Sequence, residues 1–491
     1  MENENSAYKS IFKSTFLFGF VQVFNILAKV GLNKVVAILL GPEGMGIIGL
    51  FQSTINILKT ALGLGISQSA VRDISEAKGE NNPLRFATII SVTKRIIWLT
   101  ALLGAMATIV FASYLSKWTF GNTDYTIAFI WVSIAVFLNI LSEGQLAILK
   151  GVRQLKALAK ASLLGSVIGV VVGVPFYYLF KMNGIVPSLI VSALSSTFFA
   201  WFYLRKIKYD KVSISFNICA IEGIGMIKMG IALMYVSFLG FVTDYIIRSY
   251  IANVSNIEMV GIFQAGATII TGYFGIIMTA MFTDYYPRIS AINKDNEKLI
   301  KEMNRQSEVG LMLIGPLVVL FMFLMPLFVR LLYSEKFLIS IDYLSYAVFG
   351  TLITICSNAM GIILLAKQKS KVFVYYVTIT RVLTIIAEII GYRYWGLMGV
   401  GITTIISAVM QFGLLQIIMR KMYRVVFHKN VLFMLFVIII FSTMAFFIKD
   451  LSNVWLRYGL GVIVFILSIL YSEYKMRTVM NINILTFIKN R

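Results

Sequence analysis

Apolar runs of about 20 residues recur along almost the whole chain, and each is long enough to cross the hydrocarbon core of a bilayer as an α-helix. Fourteen such spans are read near 11–39, 44–71, 86–115, 125–149, 157–180, 185–204, 224–253, 257–286, 307–332, 341–366, 372–392, 396–419, 430–448 and 454–474. Composition agrees, since 59% of the 491 residues are hydrophobic and only 13% are charged, against about 25% in a soluble domain. Without water in the bilayer core, each backbone group must be satisfied within its own segment, which makes the spans helical. The expected fold is an all-α polytopic membrane protein. Residues 1–13 are polar, and the apolar stretch that follows outruns a signal-peptide core and lacks a small-residue cleavage site. It reads as a retained first helix.

The net charge of +22 would suit a nucleic-acid binder, so its distribution decides the matter. Of the 44 Lys and Arg residues, 31 fall at one side of the span boundaries, 7 at the other and the remaining six inside or at the ends of spans. The rich side includes Arg72, Lys78, Arg85, Lys94 and Arg95, then Arg205, Lys206, Lys208 and Lys211, and later Arg288 to Arg305 and Arg420 to Lys429. By the positive-inside rule this side is cytoplasmic and holds both termini. The charge is thus spent on topology, and no nucleic-acid partner is called for.

Chemistry is constrained by what the sequence lacks. Two distant cysteines, Cys219 and Cys356, make no disulfide framework or metal cage. The single histidine, His428, leaves no His pair. There is no DxD motif, no Walker-type glycine loop and no large external loop. The chain reads as a transporter rather than an enzyme, with no cofactor or metal expected.

An internal echo organises the spans. Gly49-Leu50-Phe51-Gln52 in the second span recurs as Gly261-Ile262-Phe263-Gln264 in the eighth, 212 positions later. A further echo sets the basic loop Arg153-Gln154-Leu155-Lys156 after span four against Lys369-Ser370-Lys371 after span ten. The expected organisation is a six-helix lobe at 1–210, a second at 211–425, and helices 13 and 14 with a cytoplasmic tail at 426–491. Two lobes of parallel topology are a known transporter plan, with the substrate path between them.

Ionisable residues inside spans are costly and usually face a polar interior or a partner. In span 1, Gln22, Asn25, Lys29 and Asn33 form one helical stripe; in span 2, Gln52, Asn56, Lys59, Gly63 and Ser67 form another. Ser237, Asp244 and Arg248 share a face of span 7, and Gln264, Thr268, Thr271, Gly275 and Thr279 a face of span 8. A central aqueous cavity lined by spans 1, 2, 7 and 8 would hydrate all four. Lys29 and Lys59 lie several turns inside their spans with no acid at i±3 or i±4, so they are the expected anion clamp, with Arg248, Asn25, Asn56, Gln52 and Gln264 around it. Asp244 and Arg248 also fit an intrahelical pair, and both readings stand. Glu143 and Asp284 stand open as proton or cation sites, gates or loop caps. Arg381, Thr384 and Glu388 share a face of span 11, where a buried structural ion pair is expected. Gly63, Gly65, Pro316 and Pro326 offer bending or packing points.

The long polar first helix, the turn Leu39-Leu40-Gly41-Pro42-Glu43-Gly44-Met45-Gly46 and the following Phe51-Gln52 resemble the N-terminal signature of polysaccharide exporters. The chain is similar to the Wzx-type O-antigen flippases, lipid-linked oligosaccharide translocases in the superfamily that also holds multidrug extruders and lipid II flippases. The resemblance implies movement of an undecaprenyl-pyrophosphate-linked oligosaccharide across the bacterial inner membrane by alternating access, with polymerase and assembly proteins as partners. It also implies cations at the central cavity, matching Lys29, Lys59 and Arg248 by location. Two alternatives remain: an ion-coupled multidrug antiporter of the same superfamily, and a membrane-embedded polymerase or glycosyltransferase.

Overall fold

The protein, here as a computed structural model, is described over residues 28–480 apart from 81, 208, 210, 211, 213, 214, 284, 368 and 369. Every regular element among the described residues is helical. Helix α1 is described from 28 to 39. A turn at Leu40 and Gly41 then leads into α2 (Gly41–Leu62), with Gly41 at φ +66° and Pro42 in the first turn, where its missing N–H costs nothing.

Eleven helical stretches among the described residues are long and apolar enough to cross a membrane. Two of them, Leu155–Leu204 and Lys371–Tyr423, would run about 75 and 80 Å if straight, more than twice the hydrocarbon thickness. Each doubles back instead. In the first, α7 (Leu155–Phe180) and α8 (Ile185–Leu204) pack antiparallel, with Gly165, Gly169 and Gly173 against Ser196, Ser192 and Ser188. A Cβ on Gly165 would come within 2.9 Å of the Ser196 Cα, so small residues every fourth position let the backbones touch. In the second, α15 (Ser370–Tyr423) breaks at Trp395 and Gly396, the latter at φ +57°, and Gly391 meets Gly399 across the turn. Counted as pairs, these raise the crossings among the described residues to thirteen. The span expected at 11–39 lies mostly outside them.

Packing groups the chain into two bodies, one ending at Gly261 and the other beginning at Ile262. In the first, α2, α3 (Ile66–Gly79), α4 (Pro83–Val110) and α5 (Ala112–Phe120) surround α6 (Thr126–Gly151), and α9 (Phe216–Val254) lies against α2 to α5. Phe51 anchors the first body at 1% exposure, its ring 5.2 Å from both Phe120 and Phe129. In the second, α14 (Ser340–Ala366) packs against α15 and α13 (Asn296–Leu332), and α16 (Lys429–Ile448) and α17 (Val454–Met480) cover α13. Large apolar side chains such as Trp98, Leu99, Phe433 and Ile463 remain outward-facing, as lipid contact requires.

The internal echo extends further than four residues. The stripe Gln52, Asn56, Lys59, Gly63 and Ser67 keeps its register 212 positions on, where Gln264 and Gly275 repeat the glutamine and glycine and Thr268, Thr271 and Thr279 take the other three places. Both second spans lose regular α-helix at the matching place. The first turns through Gly63–Gly65, and the second passes through a π-helical turn, Ile269–Phe274, just before Gly275. Phe263 repeats the anchoring of Phe51, lying 5.1 Å from Tyr343.

Candidate functional site

The break in the second span builds the site. Leu64 and Gly65 both have positive φ, +50° and +63°, ending α2 and restarting the chain as α3. Gly65 presses on α9, where an added Cβ would fall 2.1 Å from the Gly230 carbonyl oxygen. No side chain larger than hydrogen fits that approach. The consequence is a new helix N-terminus at Gly65-Ile66-Ser67, three residues past the end of the apolar span, with no acidic residue in its first turn. The Ile66 and Gln68 N–H groups donate to the Gly63 and Gly65 carbonyls at 3.0 and 2.9 Å, and the terminus carries the positive end of the helix dipole.

A cavity of about 220 Å³ opens in the first body beside this terminus. Its lining joins Lys59, Gly63, Gly65 and Ser67 from the broken span to Thr100 of α4, Glu143 of α6 and Ser237 and Phe241 of α9. Lys59 Nζ donates to Glu143 Oε1 at 2.5 Å, with the lysine side chain 17% exposed and the carboxylate 44%. Lys59 therefore has a carboxylate partner that the spacing along its own helix could not show. The pair is a first-repeat feature. Thr271 stands where Lys59 would repeat, and 355–358 on α14, in the matching stretch of the fourth span, holds no charge.

The other expected site residues spread more widely. Lys29 is exposed on α1, Gln52 is exposed and Asn56 half-buried on α2, and none of the three lines this cavity. Arg248 pairs with Asp244 at 3.5 Å one turn away on α9, which favours the intrahelical reading of that pair. In the second body Gln264 donates to Thr268 Oγ1 at 3.3 Å. Arg381 and Glu388 are half-buried on α15 with Thr384 buried between them. Asn25 and Asp284 lie outside the described residues. Thr100, Gln68, Met234 and Phe241 line the cavity without having been singled out in the sequence, where lone uncharged residues in apolar spans carry no signal.

A basic residue in a polar, membrane-embedded cavity, beside an unwound helix, is the arrangement by which transporters hold anionic groups. Comparison with known proteins bears on the family and the fold. A family model described as polysaccharide biosynthesis protein matches residues 35–342. The chain belongs to that family. A second model, lipid II flippase MurJ, matches residues 222–470, so this member of the polysaccharide biosynthesis family shares the lipid-flippase pattern over its second half. A curated relative, the lipid III flippase of Escherichia coli (strain K12), is 23% identical over 373 residues, covering 71% of this chain and 84% of the relative. Among solved structures, lipid II flippase MurJ in an inward closed conformation superposes with a TM-score of 0.73 at 15% identity, covering 96% of this chain and 100% of that one. An inward-facing multidrug resistance MATE family transporter of the MOP superfamily follows at 0.64 and 16% identity, covering 81% and 96%. The expected all-helical, multi-pass membrane fold is thereby borne out, and with it the resemblance to the polysaccharide exporters.

Proposed function

We propose that the protein is a flippase for a lipid-linked oligosaccharide, carrying an undecaprenyl-pyrophosphate-linked repeat unit from the cytoplasmic to the outer leaflet of a bacterial inner membrane. The observation that carries the reading is the Lys59–Glu143 pair in a polar cavity beside the N-terminus of α3. Both ends of the pair matter. Lys59 and the positive dipole end of α3 suit a phosphate, and Glu143 is the more exposed partner, so an incoming anion can displace its carboxylate without leaving Lys59 unpaired. The serine and threonine hydroxyls around the pair suit a sugar. The lipid tail stays in the bilayer while the headgroup moves, and rocking of the two repeats supplies alternating access. Release is then helped by Glu143 returning to Lys59.

A multidrug antiporter of the same superfamily is the second reading, favoured by the fold likeness to MATE transporters. A cation-selective cavity, however, needs an unmatched carboxylate, and here Glu143 is matched by Lys59. Polymerase and assembly proteins would act on the flipped product.

The deciding experiment is deletion of the gene in its host, with surface polysaccharide examined by gel and the lipid-linked intermediate tested with a membrane-impermeant sugar-modifying reagent. Loss of polymer with intermediates protected inside is the expected result. Intermediates that reach the outside unpolymerised would remove the flippase reading. Intact polymer with accumulation of cationic dyes would favour the antiporter.

A further inference from the structure

A second cavity of the first body, about 240 Å³, is lined by the neighbouring face of α6, with Leu141, Gln145 and Ile148 in place of Ile140, Glu143 and Gly144. Three helices contribute to it at helical spacing: Lys94 and Trp98 from α4, Gln145 and Ile148 from α6, Trp201 and Arg205 from the end of α8. Its floor is aliphatic, with Ile148 fully buried, and its walls are Trp98 and Trp201, 58% and 45% exposed. Register places the two cations at one end. Thr197 Oγ1 donates to the Leu138 carbonyl at 2.8 Å, so α8 runs level with α6 and Arg205 comes beside Gln145. Gly144 faces Ile97 on α4, which brings Lys94 level with Ile148.

Neither cation makes an ion pair among the described residues. Lys94 donates to the Tyr209 hydroxyl at 2.5 Å and lies 4.9 Å from that ring, while the Arg205 guanidinium stacks 5.0 Å from Trp201. Both contacts are with neutral groups. Gln145 Oε1 is buried without a hydrogen-bond partner. An apolar floor, exposed aromatic walls, two cations at one rim with no ion pair among the described residues and an unsatisfied amide just below them are complementary to one class of ligand.

We propose that this cavity binds an anionic phospholipid of the surrounding bilayer. The phosphate sits between Lys94 and Arg205, a headgroup hydroxyl donates to Gln145 Oε1, and the upper acyl chain lies over Ile148 between the two tryptophans. A zwitterionic choline headgroup has no hydroxyl to give Gln145 and brings its own cation towards two others. The rim belongs to the basic, cytoplasmic-side set of the sequence, where basic pockets between helices meet anionic lipid. Ile97 lines both this cavity and the Lys59 cavity, so an occupant here packs against the same stretch of α4 as the ion-pair cavity.

The test uses the purified full chain in phosphatidylcholine nanodiscs containing a minor fraction of phosphatidylglycerol with brominated acyl chains, which quench nearby tryptophan. The expected result is quenching by the brominated phosphatidylglycerol that saturates at low lipid fraction and exceeds that by brominated phosphatidylcholine. W98F/W201F should remove the saturable part, leaving the other four of the six tryptophans as background. K94Q and R205Q should each weaken binding about fivefold, the usual worth of one cation at an anionic lipid surface, and the double variant about twenty-five-fold. The single variants keep the test decisive if the double variant does not fold. Equal quenching by both lipids, or unchanged binding in K94Q and R205Q, would overturn the proposal. So would displacement of the brominated phospholipid by undecaprenyl phosphate at equal fraction, which would assign the cavity to an isoprenoid lipid. None of these readouts depends on transport.

Discussion

Lys59 and Glu143 are 84 residues apart and meet at 2.5 Å, joining the last turn of α2 to the cavity face of α6. Each would be expensive alone at this depth, and together they hold an ionic contact that a substrate anion can enter. On the proposed function, the site depends on the charge of Lys59, and the charge of Glu143 competes with substrate.

Lys59→Gln is therefore expected to lower flipping by roughly 10- to 100-fold, the worth of one charge-assisted contact of about 1.5–3 kcal/mol. Glu143→Gln should act differently, tightening binding of a pyrophosphate-bearing lipid while slowing turnover, because nothing returns to Lys59 on release. The double variant K59Q/E143Q should be no worse than K59Q. Membrane abundance by immunoblot together with sidedness of the lipid-linked intermediate checks all three. Full activity of K59Q at normal abundance would remove Lys59 from the site.

The helix break depends on glycine. Gly65→Ala places a Cβ 2.1 Å from the Gly230 oxygen and also imposes φ +63° on an L-residue, so it should destabilise the protein by about 2–4 kcal/mol. Gly230→Ala meets the same contact from α9, at 2.4 Å from the Leu64 oxygen, and should also destabilise. Gly413→Ala, where a Cβ would meet nothing within 4 Å, is the control and should leave the melting temperature unchanged or raise it slightly. Thermal unfolding in detergent distinguishes the three.

How much of this was legible follows from the range of the interactions. Span positions follow from twenty-residue hydropathy, a local property, and the helices at 126–151 and 340–366 lie where the apolar runs put them, while the span expected at 44–71 ends as a helix at Leu62. Hydropathy runs straight through Gly63 and Gly65, which the sequence offers equally as bending or packing points; the positive φ of Gly65 and its contact with Gly230 show Gly65 doing both. The partner of Lys59 was not, because it comes from two spans later and pairing is set by how α2 packs on α6. Arg248, whose partner is four residues away, could be read from its own helix. Thr100 and Phe241 acquire their roles only from the cavity they line.

Phe51 tests the aromatic anchor of the first repeat. Its ring is buried against Phe120, Tyr125 and Phe129, and truncation leaves a cavity that three aromatic neighbours cannot collapse to fill. Phe51→Ala should cost about 3–5 kcal/mol. Phe51→Leu should cost less, since it keeps much of the volume. Phe263→Ala should produce a milder loss, because its ring-to-ring contact is with Tyr343. Denaturation followed by intrinsic fluorescence ranks the variants, and a smaller effect at Phe51 than at Phe263 would contradict the packing.

The start of α13 carries a pH dependence with a definite sign. Asp295 caps that helix, accepting from the Lys298 backbone N–H at 3.1 Å and meeting Lys298 Nζ at 3.1 Å. The backbone hydrogen bond comes first among the causes that hold its carboxyl below the ordinary value of 3.8. A carboxylate whose pKa is lower in the folded state stabilises fully above the unfolded value, and this contribution fades as pH falls through the folded value. Acidification from neutral to below about 3.8 should therefore erode the cap. Asp295→Asn, which can still accept from the Lys298 N–H, should lose that part of the acid sensitivity while keeping a capped helix at neutral pH. Asp295→Ala should lose both. Hydrogen exchange at the first turn of α13, followed against pH in the wild type and the two variants, reads the cap directly. Equal acid sensitivity in the wild type and Asp295→Asn would show that the erosion comes from other carboxylates.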